Sequence, residues 1–137
     1  MQDFYGPYSV GVDHLIKSLN GKYLKGMEQM TAKPFERLEL DYGKKQEVSE
    51  YVRTKLKSEQ IERLKKLIKL IDGFQSALSL EILASVDFIR SENMNISEED
   101  AILQIKKWSE RKNRLCSEKY ISIAYKHLNK YANDFFV

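Results

Sequence analysis

Cysteine, histidine and proline are scarce in this 137-residue chain: one Cys, two His and two Pro. A single thiol cannot close an internal disulfide, so packing alone must hold the fold, and Cys116, next to Leu115, reads as a reduced, partly buried thiol. His14, Cys116 and His127 stand apart, with no HExxH or CxxC spacing to gather a zinc ion. A Cys116–His127 nucleophile pair fails as well, because eleven residues along one helix would turn the two side chains to different faces, and no GxSxG elbow offers a serine instead. The six glycines are scattered. They form neither GxxxxGK(S/T) nor GxGxxG, which argues against nucleotide hydrolysis. No apolar run approaches the roughly 18 to 20 residues of a membrane span, and the N-terminus has no basic-then-apolar leader pattern, which points to the cytoplasm. Charge of one sign is missing too: 23 basic against 20 acidic residues leave a net +3, a weak global case for nucleic acid. There is no internal repeat and no low-complexity linker.

What is present is enough apolar substance for a core. Hydrophobic residues make up 42%, aromatics 11% and charged residues 31%, a balance that folds and stays in water. The length predicts a single domain over 1–137, with loose ends at about 1–4 and 133–137.

Along the chain, Phe4-Tyr5-Gly6-Pro7-Tyr8-Ser9 is a turn signal. Val12, Leu15, Ile16 and Leu19 then recur at helical spacing and stop at Asn20-Gly21. Tyr23-Leu24 and Phe35-Glu36-Arg37-Leu38-Glu39-Leu40 predict a small β-hairpin or wing, Pro34 sitting at the start of its second strand. Lys44 to Asp72 is helical in composition, with a second helix beginning near Ser58 and ending at Gly73. The run from Leu78 to Ile89 is apolar nearly all round and predicts the central core helix. Ser97, followed by Glu98, Glu99 and Asp100, marks a capped helix start ahead of Ile102, Ile105 and Trp108. A last helix runs from about Ser117 through Tyr131. The fold class is therefore mainly α with a small β-hairpin, a compact helical domain with winged-helix-like elements.

Nothing in this inventory is catalytic, and no cofactor or metal is implied. Paired carboxylates such as Glu98 and Glu99 are explained by a helix start. From Arg53 to Lys69 seven basic residues face two acids, which is either a solvated helix face or a surface for phosphates or an acidic protein. Trp108 with Arg111, Lys112 and Arg114 is either core filling with a basic helix end, or an arginine and tryptophan binding surface. Tyr5 and Tyr8 carry the same two readings.

Several segments resemble a known family when taken together: Tyr5-Gly6-Pro7-Tyr8-Ser9, Leu19-Asn20-Gly21-Lys22-Tyr23, Ile71-Asp72-Gly73-Phe74, Leu80-Glu81-Ile82-Leu83-Ala84-Ser85-Val86 and Trp108-Ser109-Glu110-Arg111-Lys112. In this order, over about residues 4 to 130, they resemble the C-terminal domain of macrodomain antitoxins of the DarG type. In that family an N-terminal macrodomain removes ADP-ribose from DNA, and the C-terminal domain binds and blocks the DarT toxin, which ADP-ribosylates thymidine in single-stranded DNA. The resemblance implies a non-catalytic, toxin-neutralising module whose partner is a DarT-like toxin. The glycine-rich ADP-ribose loops of a macrodomain are absent here, so no hydrolase activity is implied for this portion, and a macrodomain is expected to be fused or encoded nearby. A start at Gln2-Asp3-Phe4, directly before the first motif, is what an excised domain with an added methionine would look like; a separately encoded relative is the other possibility.

A toxin that grips DNA should present a basic, aromatic-lined cleft, which a neutraliser can fill sterically or with acids that imitate the strand. Glu36, Glu39 and Asp41, or Glu98 to Asp100, are the acids placed for that, and Tyr5, Tyr8, Trp108, Arg111, Lys112 and Arg114 complete the candidate partner-binding set. The alternative is a winged-helix-like DNA-binding regulator that sets the 53–69 stretch against phosphates.

Overall fold

The computed structural model describes the backbone of residues 2–3, 6–19, 22–25 and 39–135. Tyr5, Pro34, Glu36 and most of the second predicted strand lie outside the described residues. The fold is mainly α, with two very short antiparallel strand pairs among the described residues. In order come β1 (Gln2–Asp3), β2 (Gly6–Pro7), α1 (Val10–Leu19), β3 (Leu24–Lys25), β4 (Glu39–Leu40), a 3-10 turn at Tyr42–Lys44, and α2 (Lys45–Lys55). Then follow α3 (Ser58–Ile71), α4 (Ala77–Glu92), α5 (Glu98–Trp108), α6 (Glu110–Leu115) and α7 (Glu118–Phe135). β1 pairs antiparallel with β2, and β3 with β4, where Leu24 faces Leu40 and Lys25 faces Glu39. The chain divides into two compact units, residues 1–8 with 63–137 and residues 9–62.

The first unit holds the core. Ile82, Leu83, Val86 and Ile89 of α4 pack with Ile96, Ala101, Ile105, Cys116, Ile121, Ala124 and Leu128, all buried. Each large aliphatic side chain so buried is worth roughly 1.5 to 3 kcal/mol, so the predicted central helix is also the energetic centre. Serine opens the helices of this unit. Ser76, Ser97, Ser109 and Ser117 each accept a hydrogen bond from the backbone N–H three residues on, at 3.1 to 3.2 Å. These bonds satisfy N–H groups that a helix start leaves without partners. Gly73, at φ +86°, ends α3 in the left-handed region that favours glycine.

The expected single helix end near Trp108 to Arg114 takes a different form. Ser109 is extended, with φ −157° and ψ 159°, so α5 stops at Trp108 and α6 restarts at Glu110. The break near Ser58 also has its own cause. Leu56 is extended, and the side-chain oxygen of Gln60 reaches back to the Lys57 N–H at 2.8 Å, supplying the return half of a capping box.

The second unit lacks such a core: none of its described residues is buried. Tyr23 ties its parts together. Its N–H bonds the last carbonyl of α1, at Leu19, its own carbonyl receives the Asp41 N–H, and its hydroxyl donates to Glu47 of α2 at 3.0 Å.

Candidate functional site

The sharpest polar constellation lies inside the first unit and begins with one carboxylate in an apolar run. Glu81 sits on the α4 face that also carries Ser85, one turn later. The restart at Ser109 swings Arg111 and Lys112 back onto that face. Arg111 reaches Glu81 Oε1 at 2.5 Å and Lys112 Nζ reaches the same oxygen at 2.7 Å, while Lys112 Nζ also donates to Ser85 Oγ at 3.1 Å. Lys112 is fully buried, and the Arg111 and Glu81 side chains keep only 12% and 13% of their exposure. A buried lysine survives only when paired, and here the indole of Trp108 adds a face 5.1 Å below the ammonium. Trp108 packs in turn on Phe88, ring centroids 5.8 Å apart.

Strand β2 packs over this cluster through Gly6. Gly6 has φ +146°, and a Cβ there would lie 3.3 Å from Ser85 Oγ and 3.9 Å from Lys112 Nζ. Both the backbone angle and the close approach call for glycine. Three of the five segments that carry the family resemblance therefore meet around one ionic cluster.

This placement corrects part of the candidate set. Arg111 and Lys112 do not form an exposed basic surface, because Glu81 draws both inward, and Trp108 is half-buried beneath them. Arg114 is exposed, as is Tyr8. Glu39 is exposed on β4. Asp41 is half-buried and caps the 3-10 turn by accepting the Gly43 N–H at 3.0 Å. Glu98 is engaged by the Ser122 hydroxyl at 2.5 Å and lies 3.9 Å from Lys126, whereas Glu99 and Asp100 face solvent. Tyr5 and Glu36 lie outside the described residues.

Other titratable groups have structural explanations. His127 packs at a tilt between the rings of Phe74 and Tyr131, centroids 4.6 and 4.8 Å away, and donates from Nε2 to the Leu70 carbonyl at 2.6 Å, fastening α7 to the end of α3. Burial pushes the Cys116 thiol above its ordinary range, with Lys112 opposing. Among the described residues, no three His, Cys, Asp or Glu side chains converge as a metal site would require.

Among the described residues, two surface hollows could seat a partner. In the first unit, Phe74, Leu78, Ile82, Tyr120 and Ile123 line a groove of about 470 Å³ with Ser76 and Ser79 among its lining residues. In the second unit, Leu19, Leu24, Leu40 and Val48, with Tyr23, Tyr51 and Glu47, line a pocket of about 430 Å³. Around it Leu40, Tyr42 and Tyr51 are 59%, 77% and 60% exposed. Sequence reasoning passed over this surface because its residues come from α1, β3, β4 and α2, and no local period joins them. The tyrosines at 23, 42 and 51 were the available signal.

No family model matches the chain. Two DNA ADP-ribosyl glycohydrolases, from Mycobacterium bovis and Mycobacterium tuberculosis, are similar to it, each 25% identical over 123 residues. That match covers 88% of this chain but only 35% of the length of each of these curated relatives.

Proposed function

We propose that this chain is a non-catalytic binding module that blocks a DarT-like DNA ADP-ribosyltransferase toxin by direct protein contact. The observation that carries the reading is the pairing of coverage with order. Nearly the whole chain matches about a third of two DNA ADP-ribosyl glycohydrolases, and the segments that resemble the DarG-type C-terminal domain follow one another in order. The glycohydrolase activity in the relatives' name is assigned here to the part of those proteins that this chain does not cover.

The geometry supports a binding role in a second way. Three of the five resembling segments meet at a buried ionic cluster, which makes them scaffold and leaves the exposed apolar and tyrosine surfaces for contact. Interfaces are enriched in such tyrosines, and a groove or pocket gives them anchors. Neutralisation is then steric, or it uses solvent-facing acids, either Glu39 of the second unit or Glu99 and Asp100 of the first, to occupy a basic cleft.

The test is co-purification of the chain with a DarT-like toxin encoded beside it, after nuclease treatment, followed by the toxin's ADP-ribosylation of single-stranded DNA. A complex and loss of modification are expected. If the toxin stays active and the chain instead retards duplex DNA with a steep salt dependence, the DNA-binding regulator replaces this reading. Charge reversal at Glu39, or separately at Glu99 with Asp100, should weaken the complex about fivefold in whichever group meets the cleft, as removal of rim charges does. An unchanged affinity would leave only the steric mode.

A further inference from the structure

The pocket of the 9–62 unit has an unusual lining. Its walls are aliphatic, from Leu40 and Val48 among others, two phenol rings stand at Tyr23 and Tyr51, and Glu47 is the one carboxylate among its described lining residues. Glu47 accepts the Tyr23 hydroxyl through Oε1 and has Lys44 Nζ 3.7 Å from Oε2. The Lys44 contact joins two exposed side chains, an arrangement that contributes little and yields readily to a better-placed cation.

Each class of occupant meets this lining differently. An anion would be repelled by Glu47. A purely apolar side chain would strip water from the carboxylate and return nothing for it. A cation on a long apolar stem satisfies every part of the surface, and a planar guanidinium adds stacking on tyrosine faces and a fork that fits a carboxylate, which an ammonium does not. A volume of about 430 Å³ holds such a side chain with room for the backbone that presents it.

We propose that this pocket receives an arginine side chain presented by a protein partner, its stem along Leu40 and Val48 and its guanidinium against Glu47 and the tyrosine rings. The proposal rests on the protein-binding reading above and names the anchor through which that binding works.

The test needs no toxin. The full chain, isotope-labelled, is titrated by NMR with a capped Gly-Arg-Gly peptide and with its citrulline counterpart, which keeps the shape and loses the charge. Shifts centred on Leu40, Val48 and Tyr51 are expected with the arginine peptide. Binding should be about fivefold weaker with citrulline, as the loss of an exposed ion pair allows, and equally reduced in Glu47→Gln. Tyr51→Ala, at another exposed position, should weaken binding without disturbing Glu47. Absence of shifts at these residues up to about 20 mM peptide, a range that reaches well beyond millimolar affinity, would overturn the proposal. So would equal affinity for the two peptides, or undiminished binding in Glu47→Gln. A negative result here leaves toxin binding to stand on its own measurement, whereas a chain that takes the peptide and ignores the toxin removes the toxin reading alone.

Discussion

Replacing Glu81 by glutamine is the perturbation that probes this fold hardest. The carboxylate receives both Arg111 and Lys112 on one oxygen, and Lys112 is fully buried. Glutamine keeps the size and an acceptor oxygen but removes the charge shared by two cations. Breaking a buried ion pair by deleting one partner costs about 3 to 5 kcal/mol, and the slight exposure of Glu81 favours the lower end, about 3 kcal/mol. At about 3 °C per kcal/mol for a chain of this size, the midpoint of thermal unfolding should fall by roughly 10 °C. Urea unfolding followed by circular dichroism gives the free energy, and the fluorescence of Trp108, the only tryptophan, reports the cluster from directly beneath Lys112. A partner variant, Lys112→Met, keeps the stem and drops the ammonium. If the two groups act on each other, the double variant is less unstable than the sum of the singles by about 1 to 3 kcal/mol. A Glu81→Gln protein within about 0.5 kcal/mol of the parent, the range of ordinary surface changes, would refute the reasoning.

Ile105→Ala, at a fully buried position, should cost about 2 to 5 kcal/mol in the same urea assay, while Leu103→Ala, 53% exposed, should stay within about 0.5 kcal/mol. Ser97→Ala removes the hydroxyl that accepts the Asp100 N–H and should cost about 1 kcal/mol, read as a lower midpoint with an unchanged denaturant slope. Burial raises the Cys116 thiol, so the folded state holds that proton more firmly than the unfolded chain. Its contribution to stability is therefore intact below the ordinary thiol range and lost as pH climbs through the raised value. Iodoacetamide labelling near pH 8 should be slow in the folded protein and fast in urea, and comparable rates would contradict the buried thiol.

Much of the helical frame was legible from local signals. The apolar run from Leu78 to Ile89 marked α4, Ser97 with its acids marked the start of α5, and Asn20-Gly21 marked the end of α1. The ionic cluster was not legible, because Glu81 and Lys112 are 31 residues apart and Arg111, Lys112 and Arg114 close together read either as cations satisfying a helix end or as a binding surface. Two local clues existed: a carboxylate near the start of the α4 apolar run with a serine one turn later, and Ser109 ahead of Glu110, a cap that predicts a restart. Neither says which distant cations the carboxylate will meet. The tyrosine pocket was hidden for the same reason, since Tyr23, Leu40 and Tyr51 come together only through tertiary structure.

The most direct test of the proposed role is the binding of the purified chain to the DarT-like toxin encoded nearest to it, measured by calorimetry at low and moderate salt with no DNA present. The account predicts a complex with a dissociation constant in the micromolar range or tighter that weakens only modestly as salt rises. No heat of binding to the toxin, together with duplex DNA binding whose logarithm falls steeply and linearly with the logarithm of salt, would contradict it.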